Sequence, residues 1–412
     1  MGQASVQVRG PVEETMERIP VRLSRAGEVL QLVRSGTAST TSEIAATMSV
    51  ARSTVSERIA LLLRNGLLVP DGEVAPGRGR PSVRYAFNAQ AGLVLTVQLG
   101  MSGSRVALMD LSAEVLASRT VDVDLSLGPE HVFDTVIDAL DEHLGSLGAD
   151  RTQLRGVGLG VPSSTELAAI HTSGAGQVRG WAGFDVAAHV QNLLAVPVYV
   201  DQDVNLLALA EQRSSWPGAK VFACVKVGTS IACGIVIDGQ VFRGGSGLAG
   251  QIAHTPVAGS TAQCDCGNVG CLNATASGAA LVTKLRSVSD FSGSSTRELS
   301  QQARAGDLAA IQAIRQAGRD VGEVLAGVVN ALNPEVLAVW GYLDDAGDYL
   351  LAGVRESIYA SALSAAGEAL TITHASLGSD AGIRGAATAV IERFLEPSAI
   401  DGWIHQAENR AH

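Results

Sequence analysis

Three of the five cysteines in this 412-residue chain fall within eight positions, and a histidine lies just upstream. His254, Cys264, Cys266 and Cys271 are spaced His-x9-Cys-x-Cys-x4-Cys. Two thiolates one residue apart, a third one loop later and an imidazole before them can close a tetrahedral shell around Zn2+. A chain that does so must fold the stretch 250–273 back on itself. Gly267 and Gly270 let the backbone turn tightly between the ligands. The plainer alternative, small buried hydrophobes, suits Cys224 and Cys233, which sit in apolar strand-like runs. The expected cofactor is one structural Zn2+ on His254, Cys264, Cys266 and Cys271.

A chain of this length with 46% hydrophobic residues predicts two or three well-packed domains. It has no apolar run long enough to span a bilayer. Residues 1–25 lack an apolar signal core and carry several acids, so a cytoplasmic protein is expected. A reducing compartment favours metal over disulfide for the cysteine trio. The net charge of −11 argues against nucleic-acid binding by the molecule as a whole, but the charge is unevenly spread. Residues 21–88 hold nine arginines against five acids, a local balance of +4, which leaves −15 for the rest. A small basic module on a large acidic body is a footprint of local phosphate contact.

Within that module the apolar spacing predicts helices over 23–33, 42–48 and 52–65, the second opened by a Thr40-x-x-Glu43 capping box. A tight turn at Ser49 and Val50 joins the last two. Val55, Ile59, Leu62 and Leu63 form the inner stripe of the third helix, which leaves Arg52, Ser53, Thr54, Ser56 and Arg58 for the outer, N-terminal face. This is the layout of a helix-turn-helix whose second helix enters the major groove. Gly66 stops that helix. Residues 67–69, a turn at Asp71-Gly72 and residues 83–87 read as a hairpin, the wing. Arg78-Gly-Arg80-Pro81 has the form of an AT-hook core, with two guanidiniums on a thin, extended backbone suited to an A·T minor groove.

Beyond Gly92 strands and helices alternate. Strands are expected near 93–99, 106–110, 156–162, 198–200, 221–227 and 234–237. Helices are expected over 129–144, 186–194, 205–212 and 301–332, with another ending near Phe394. This alternation is an α/β pattern. Several strings then carry a specific likeness: Val157-Gly-Leu-Gly-Val-Pro162, Asp203-Val-Asn205, Gly247-Leu-Ala-Gly250, Cys264-Asp-Cys-Gly267, Leu332-Asn-Pro-Glu335 and Asp380-Ala-Gly382. With them the chain, from about position 21 to 394, resembles the ROK family of repressors and sugar kinases, in its DNA-binding branch. The resemblance implies a winged helix-turn-helix followed by a two-lobed actin-like, ribonuclease-H-like domain with its ligand in the cleft. The expected units are a tail at 1–20, the DNA-binding module at 21–88, the ligand-sensing domain at 89–395 and a second tail at 396–412.

Kinases of this family open with Asp-x-Gly-Gly-Thr, and the matching residues are Gln98-Leu-Gly-Met101-Ser102. An amide cannot supply the charge of a Mg2+-phosphate site, and Met101 blocks close backbone approach. The second phosphate turn carries Ser230 and Ala232 where glycines are usual, and Trp340 replaces a glycine near the nucleotide end. A non-enzyme is therefore expected. Asp203 matches the family's catalytic base, which without a phosphoryl donor would accept a ligand hydroxyl. Gln251 and Asn273 stand where the family has glutamates, Gln202 where it has asparagine, and Ser163 where it has glycine. His254 matches a residue that touches both metal and sugar. The expected ligand residues are therefore Gln202, Asp203, Gln251, His254 and Asn273. Loss of the two carboxylates would weaken a plain hexose and admit an anionic or acetamido sugar, which Arg179 could pair. The resulting expectation is a ligand-responsive repressor of carbohydrate metabolism, a homodimer or tetramer that binds a pseudo-palindromic operator and a sugar-type effector. A sugar kinase with an appended DNA module and a constitutive DNA binder with a dead pocket are the alternatives.

Overall fold

The computed structural model describes residues 25–74, 82–100, 103–162, 181, 183–289 and 291–410. Three short helices come first: α1 (Ala26–Arg34), α2 (Thr41–Met48) and α3 (Arg52–Arg64). The capping box forms as expected, with the Thr40 hydroxyl accepting the Glu43 N–H and the Glu43 carboxylate accepting the Thr40 N–H. Ser49 turns the chain with a left-handed φ of 53°. Val55, Ile59 and Leu62 bury the inner side of α3. Strands β1 (Leu68–Val74) and β2 (Ser82–Phe87) then pair antiparallel. The expected turn at Asp71-Gly72 is not one. These residues form an irregularity inside β1, where the register slips between Pro70 and Glu73. An Asp-Gly pair with glycine at φ 79° serves a bulge as readily as a turn.

The body holds two five-stranded sheets built on one plan. The first contains β3 (Leu93–Gln98), β4 (Ser104–Asp110), β5 (Val115–Val121), β6 (Leu154–Val161) and β7 (Val198–Gln202), in the order β5-β4-β3-β6-β7. The second contains β8 (Val221–Val227), β9 (Ile231–Ile237), β10 (Gln240–Val241), β11 (Val336–Trp340) and β12 (Thr371–His374), in the order β10-β9-β8-β11-β12. In each sheet the first three strands form an antiparallel meander, and the last two add in parallel on the other side of the first. The repeated topology makes the two lobes of an actin-like fold.

Helices α4 (Pro129–Leu147) and α5 (Val186–Leu194) cover the first sheet through Phe133, Val136, Leu140 and Val190. The second lobe carries α7 (Leu272–Ala276), α8 (Gly278–Val288), α9 (Thr296–Arg304), α10 (Leu308–Leu332), α11 (Tyr349–Ser361) and α12 (Ser364–Ala369). The single helix expected over 301–332 is therefore two. Gly306 (φ 93°) breaks it, and the Asp307 side chain caps the next by accepting the Ala310 N–H.

Helices α6 (Asp203–Ser215) and α13 (Ala381–Phe394) lie against each other between the sheets. A Cβ on Gly234 of β9 would strike the Val204 carbonyl, and one on Gly385 of α13 would strike the Leu206 carbonyl. The α6 backbone is thus wedged between strand and helix, which fixes Asp203 at its first residue.

The stretch 396–412, expected as a tail, instead forms helix α14 (Pro397–Arg410) in its described part. Its Ile400 and Ile404 share one apolar cluster with Ala26, Val29 and Leu30 of α1 and Ile391 of α13. This buried contact makes the segment structured. The Asp401 carboxylate accepts the backbone N–H groups of Arg25 and Gly27, each at 3.1 Å. Among the described residues no helix is long and apolar enough to cross a membrane.

Candidate ligand cleft and metal centre

The loop after β10 gathers His254, Cys264, Cys266 and Cys271, with all four ligand atoms within 4.8 Å of one another. Cys264 Sγ lies 3.6 Å from His254 Nδ1, and Cys266 Sγ lies 3.7 Å from Cys271 Sγ. A tetrahedral Zn2+ with ordinary Zn–S and Zn–N bonds has S···S edges of about 3.8 Å and S···N edges of about 3.6 Å. The donor set therefore fits zinc in both chemistry and spacing. The loop is held in shape by Cys264 N–H to the Asn268 carbonyl (2.9 Å), Gly267 N–H to the Cys264 carbonyl (2.9 Å) and Val257 N–H to the Gly270 carbonyl (2.8 Å). Cys224 and Cys233 lie in strands with burial pushing both thiols up, Cys233 to about 12, as suits inert core residues.

Asp203 sits where β7 hands over to α6. Its Oδ1 accepts the Val204 N–H at 2.7 Å, and its Oδ2 accepts the ammonium of Lys226 on β8 at 2.8 Å. Both side chains are nearly closed to solvent, at 7% and 11% exposed. Lys226 was missed in the sequence. The available signal was one charge inside an otherwise buried strand, which demands a partner. The preceding residue, Gln202, donates from Nε2 to the Gly247 carbonyl (3.0 Å) and accepts Gln251 Nε2 at its Oε1 (2.9 Å). Gln202 ends a first-lobe strand, while Gly247 and Gln251 belong to the second lobe, so amides link the two across the cleft. Next to them the Asp201 carboxylate accepts Asn205 Nδ2 (2.7 Å), the Tyr199 hydroxyl (2.7 Å) and Arg243 Nε (3.1 Å). Burial, with the Asp201 charge beside it, pushes the Tyr199 phenol up, so it remains a donor.

The structure thus brings Gln202, Asp203 and Gln251 together. Asn273, on α7, is engaged elsewhere: its Oδ1 accepts the Ile231 N–H at 3.0 Å and pins the start of β9. His254 turns its Nδ1 to the cysteines. The turn before β9 is also committed internally. Gly228 N–H bonds the Ser230 carbonyl (3.0 Å), and the Gly228 carbonyl accepts the Gly278 N–H that opens α8 (2.8 Å). Ala232 is buried and pairs with Lys226 across the sheet. The Gln98 amide occupies the space a Cβ on Gly382 would need. Trp340 donates its indole N–H to the Gly378 carbonyl at 2.7 Å. Met101, Ser163 and Arg179 lie outside the described residues.

On the small module Arg52, Ser53 and Ser56 are exposed on α3, while Thr54 and Arg58 are half-buried. Ser56 donates its hydroxyl to the Arg52 carbonyl (3.0 Å), and Arg58 Nη1 approaches Met48 Sδ (4.0 Å). Arg78 and Arg80 lie outside the described residues.

Comparison with known proteins agrees with this geometry. A glucokinase of Halalkalibacterium halodurans is 29% identical over 304 residues, covering 70% of this chain and 92% of that protein. The xylose repressor of Caldicellulosiruptor bescii is 26% identical over 320 residues, covering 74% and 80%. Among solved structures, a ROK family transcriptional regulator described as a homologue of the E. coli MLC protein superposes with a TM-score of 0.72 at 22% identity. That likeness spans 92% of this chain and 98% of the other, so the fold is shared well beyond the cleft. The ROK family model itself matches residues 94–393, almost all of the two-lobed body, and the chain belongs to the ROK family.

Proposed function

We propose that the chain is a sugar-responsive DNA-binding repressor and not an enzyme. The observation that carries this reading is the joining of the α1–α3 module to the two-lobed body in one apolar cluster, with Asp401 of the last helix capping α1. A ligand-driven switch requires that union, because a change in the body must reach α3. Asp203 begins α6, α6 packs on α13, and α13 leads into α14, which grips α1. Effector bound at Gln202, Asp203 and Gln251, with His254 and Asn273 shaping the wall behind, would shift lobe closure. It would do so only by binding the two lobe arrangements unequally.

In this reading α3 offers Arg52, Ser53, Thr54, Ser56 and Arg58 to a major groove, and Arg78 and Arg80 reach the neighbouring minor groove. A homodimer addresses two half-sites of a pseudo-palindromic operator in the cytoplasm. Zinc on His254, Cys264, Cys266 and Cys271 is structural and braces the loop that carries Gln251. Capture of sheared genomic DNA by the full chain tests the reading. Enrichment of a few inverted-repeat fragments supports it, and recovery of bulk DNA only would sink it.

The glucokinase relative gives a second reading, sugar phosphorylation. Against it, both oxygens of Asp203 already accept hydrogen bonds, and Gln98 offers no charge to a metal-phosphate. Incubation with ATP, Mg2+ and a panel of aldoses decides between them; steady turnover would establish the kinase.

A further inference from the structure

Tyr199 and Asp201 lie on β7, the edge strand of the first sheet, and Arg243 follows β10, the edge strand of the second. The Arg243 guanidinium crosses between the lobes. It donates to the Asp201 carboxylate from Nε (3.1 Å) and Nη2, and from Nη2 to the Tyr199 hydroxyl as well. That hydroxyl in turn donates to Asp201 at 2.7 Å. We propose that Tyr199 and Arg243 form the coupling contact through which the arrangement of the two lobes sets the docking of the α1–α3 module. The proposal deepens the switch reading given above and rests on it.

Both ends of the contact are anchored where a switch needs them. At the cleft end, the Arg243 carbonyl accepts the Ala249 N–H at 3.1 Å and closes the loop 243–249. That loop carries Gly247, and Gln251 follows it; both bond Gln202, the neighbour of Asp201. A ligand that moves this loop against β7 therefore moves Arg243 against Asp201 and Tyr199. At the other end, the Tyr199 ring lies under the Arg393 guanidinium of α13, 4.4 Å from its centroid. The same ring packs against the apolar cluster that contains Val29 and Leu30 of α1, Ile391 of α13 and Ile400 of α14. One side chain thus has its hydroxyl in the bridge between the lobes and its ring on the core that joins the DNA-binding module to the body. The bridge is also breakable. Asp201 is 6% exposed but Arg243 is 39% exposed, and a partly solvated ion pair adds little to stability. It can open without unfolding the protein.

Native-state hydrogen exchange of the full chain tests this with neither effector nor DNA. Tyr199→Phe removes only the hydroxyl and keeps the ring under Arg393. It should raise exchange of the α1 amides about fivefold, the worth of one net hydrogen bond, while α4 amides keep the parent rate. Arg243→Met should act alike, since Asp201 retains bonds from Tyr199, Asn205 and the Gln202 N–H. The double variant should exceed the larger single effect by no more than about twofold, because both changes break one contact. Arg319→Met, which removes an exposed ion pair to Glu356 elsewhere in the second lobe, should leave α1 within about twofold of the parent. Should Arg243→Met not fold, Tyr199→Phe and the Arg319→Met control decide alone. Unchanged α1 exchange in Tyr199→Phe, additive effects in the double variant, or an equal rise in Arg319→Met would each overturn the proposal. Failure of the DNA-binding reading has its own signature, recovery of bulk DNA in the capture experiment, whatever the α1 amides do.

Discussion

Replacing Asp401 by Ala removes the only described side-chain cap of α1. The residue at the N-terminus of that helix, Arg25, is in a left-handed conformation and provides no cap of its own. Asp401 accepts two N–H groups from a distance of more than 370 residues in sequence and is itself buried. Loss of a cap costs about 0.5–2 kcal/mol, and a buried N–H left unsatisfied costs about 1–3 kcal/mol. A combined loss of roughly 2–4 kcal/mol in local stability follows. In native-state hydrogen exchange that loss raises the rates of α1 amides roughly 30- to 1000-fold. The effect should be largest at 26–34 and should spare the α4 and α10 amides. Asp401→Asn keeps one acceptor oxygen without charge and should fall between Asp and Ala. Operator affinity should decline in the same order, since α1 and α3 share one core. If α1 protection in Asp401→Ala stays within about threefold of the parent, the docking argument is wrong.

Replacing Cys266 by Ser should lower bound zinc from one per chain towards none and depress the melting temperature on the order of 5–10 °C; a full complement of zinc measured by mass spectrometry of the native protein would refute the ligand set. Replacing both Arg78 and Arg80 by Ala should reduce the slope of log affinity against log salt by about two, while the thermal transition of the body is retained; an unchanged slope would remove them from the interface. His374 bonds Asp344 through Nδ1 (2.8 Å) and Asp348 through Nε2 (2.9 Å). Burial opposes the charge on His374, but the two carboxylates outweigh it and raise its pKa, while burial lifts Asp344 to about 6. A histidine raised in the folded state gives stability that is full below its unfolded pKa and lost as pH rises through the folded one. The melting-temperature advantage of the parent over His374→Gln should thus be largest near about pH 6 to 6.5, shrinking above it as His374 loses its proton and below it as Asp344 gains one; an advantage that keeps growing as pH rises above that window would contradict the pairing.

Much of this molecule is legible from local chemistry. The capping box at Thr40 and Glu43, the helix Val186–Leu194 and the cysteine loop are all set by residues a few positions apart, and the structure has each of them. What escaped depends on distant partners. Strand β12 is four residues long and stands out only because β11 pairs with it. The break at Gly306 was hidden because apolar periodicity continues on both sides of it. Helix α14 resembled a polar tail, since its apolar positions have meaning only against α1. In the cleft, Asp203 was readable as a match to a family string and Gln202 and Gln251 as departures from one, yet their pairing was not. Lys226 and Asp203 meet across a lobe boundary, and no spacing rule reaches that far. Asn273 shows the converse, a position that matches a sugar-binding residue but spends its side-chain oxygen on the Ile231 amide.

The central claim is that ligand in the cleft governs DNA binding by the α1–α3 module. Fluorescence anisotropy of a captured operator fragment, titrated with the full chain at fixed salt in the presence and absence of a sugar that binds the cleft, measures it directly. The account predicts a change in operator affinity of about 5- to 150-fold, the range of ordinary allosteric coupling. An operator affinity identical with and without a ligand shown to occupy the cleft would contradict it.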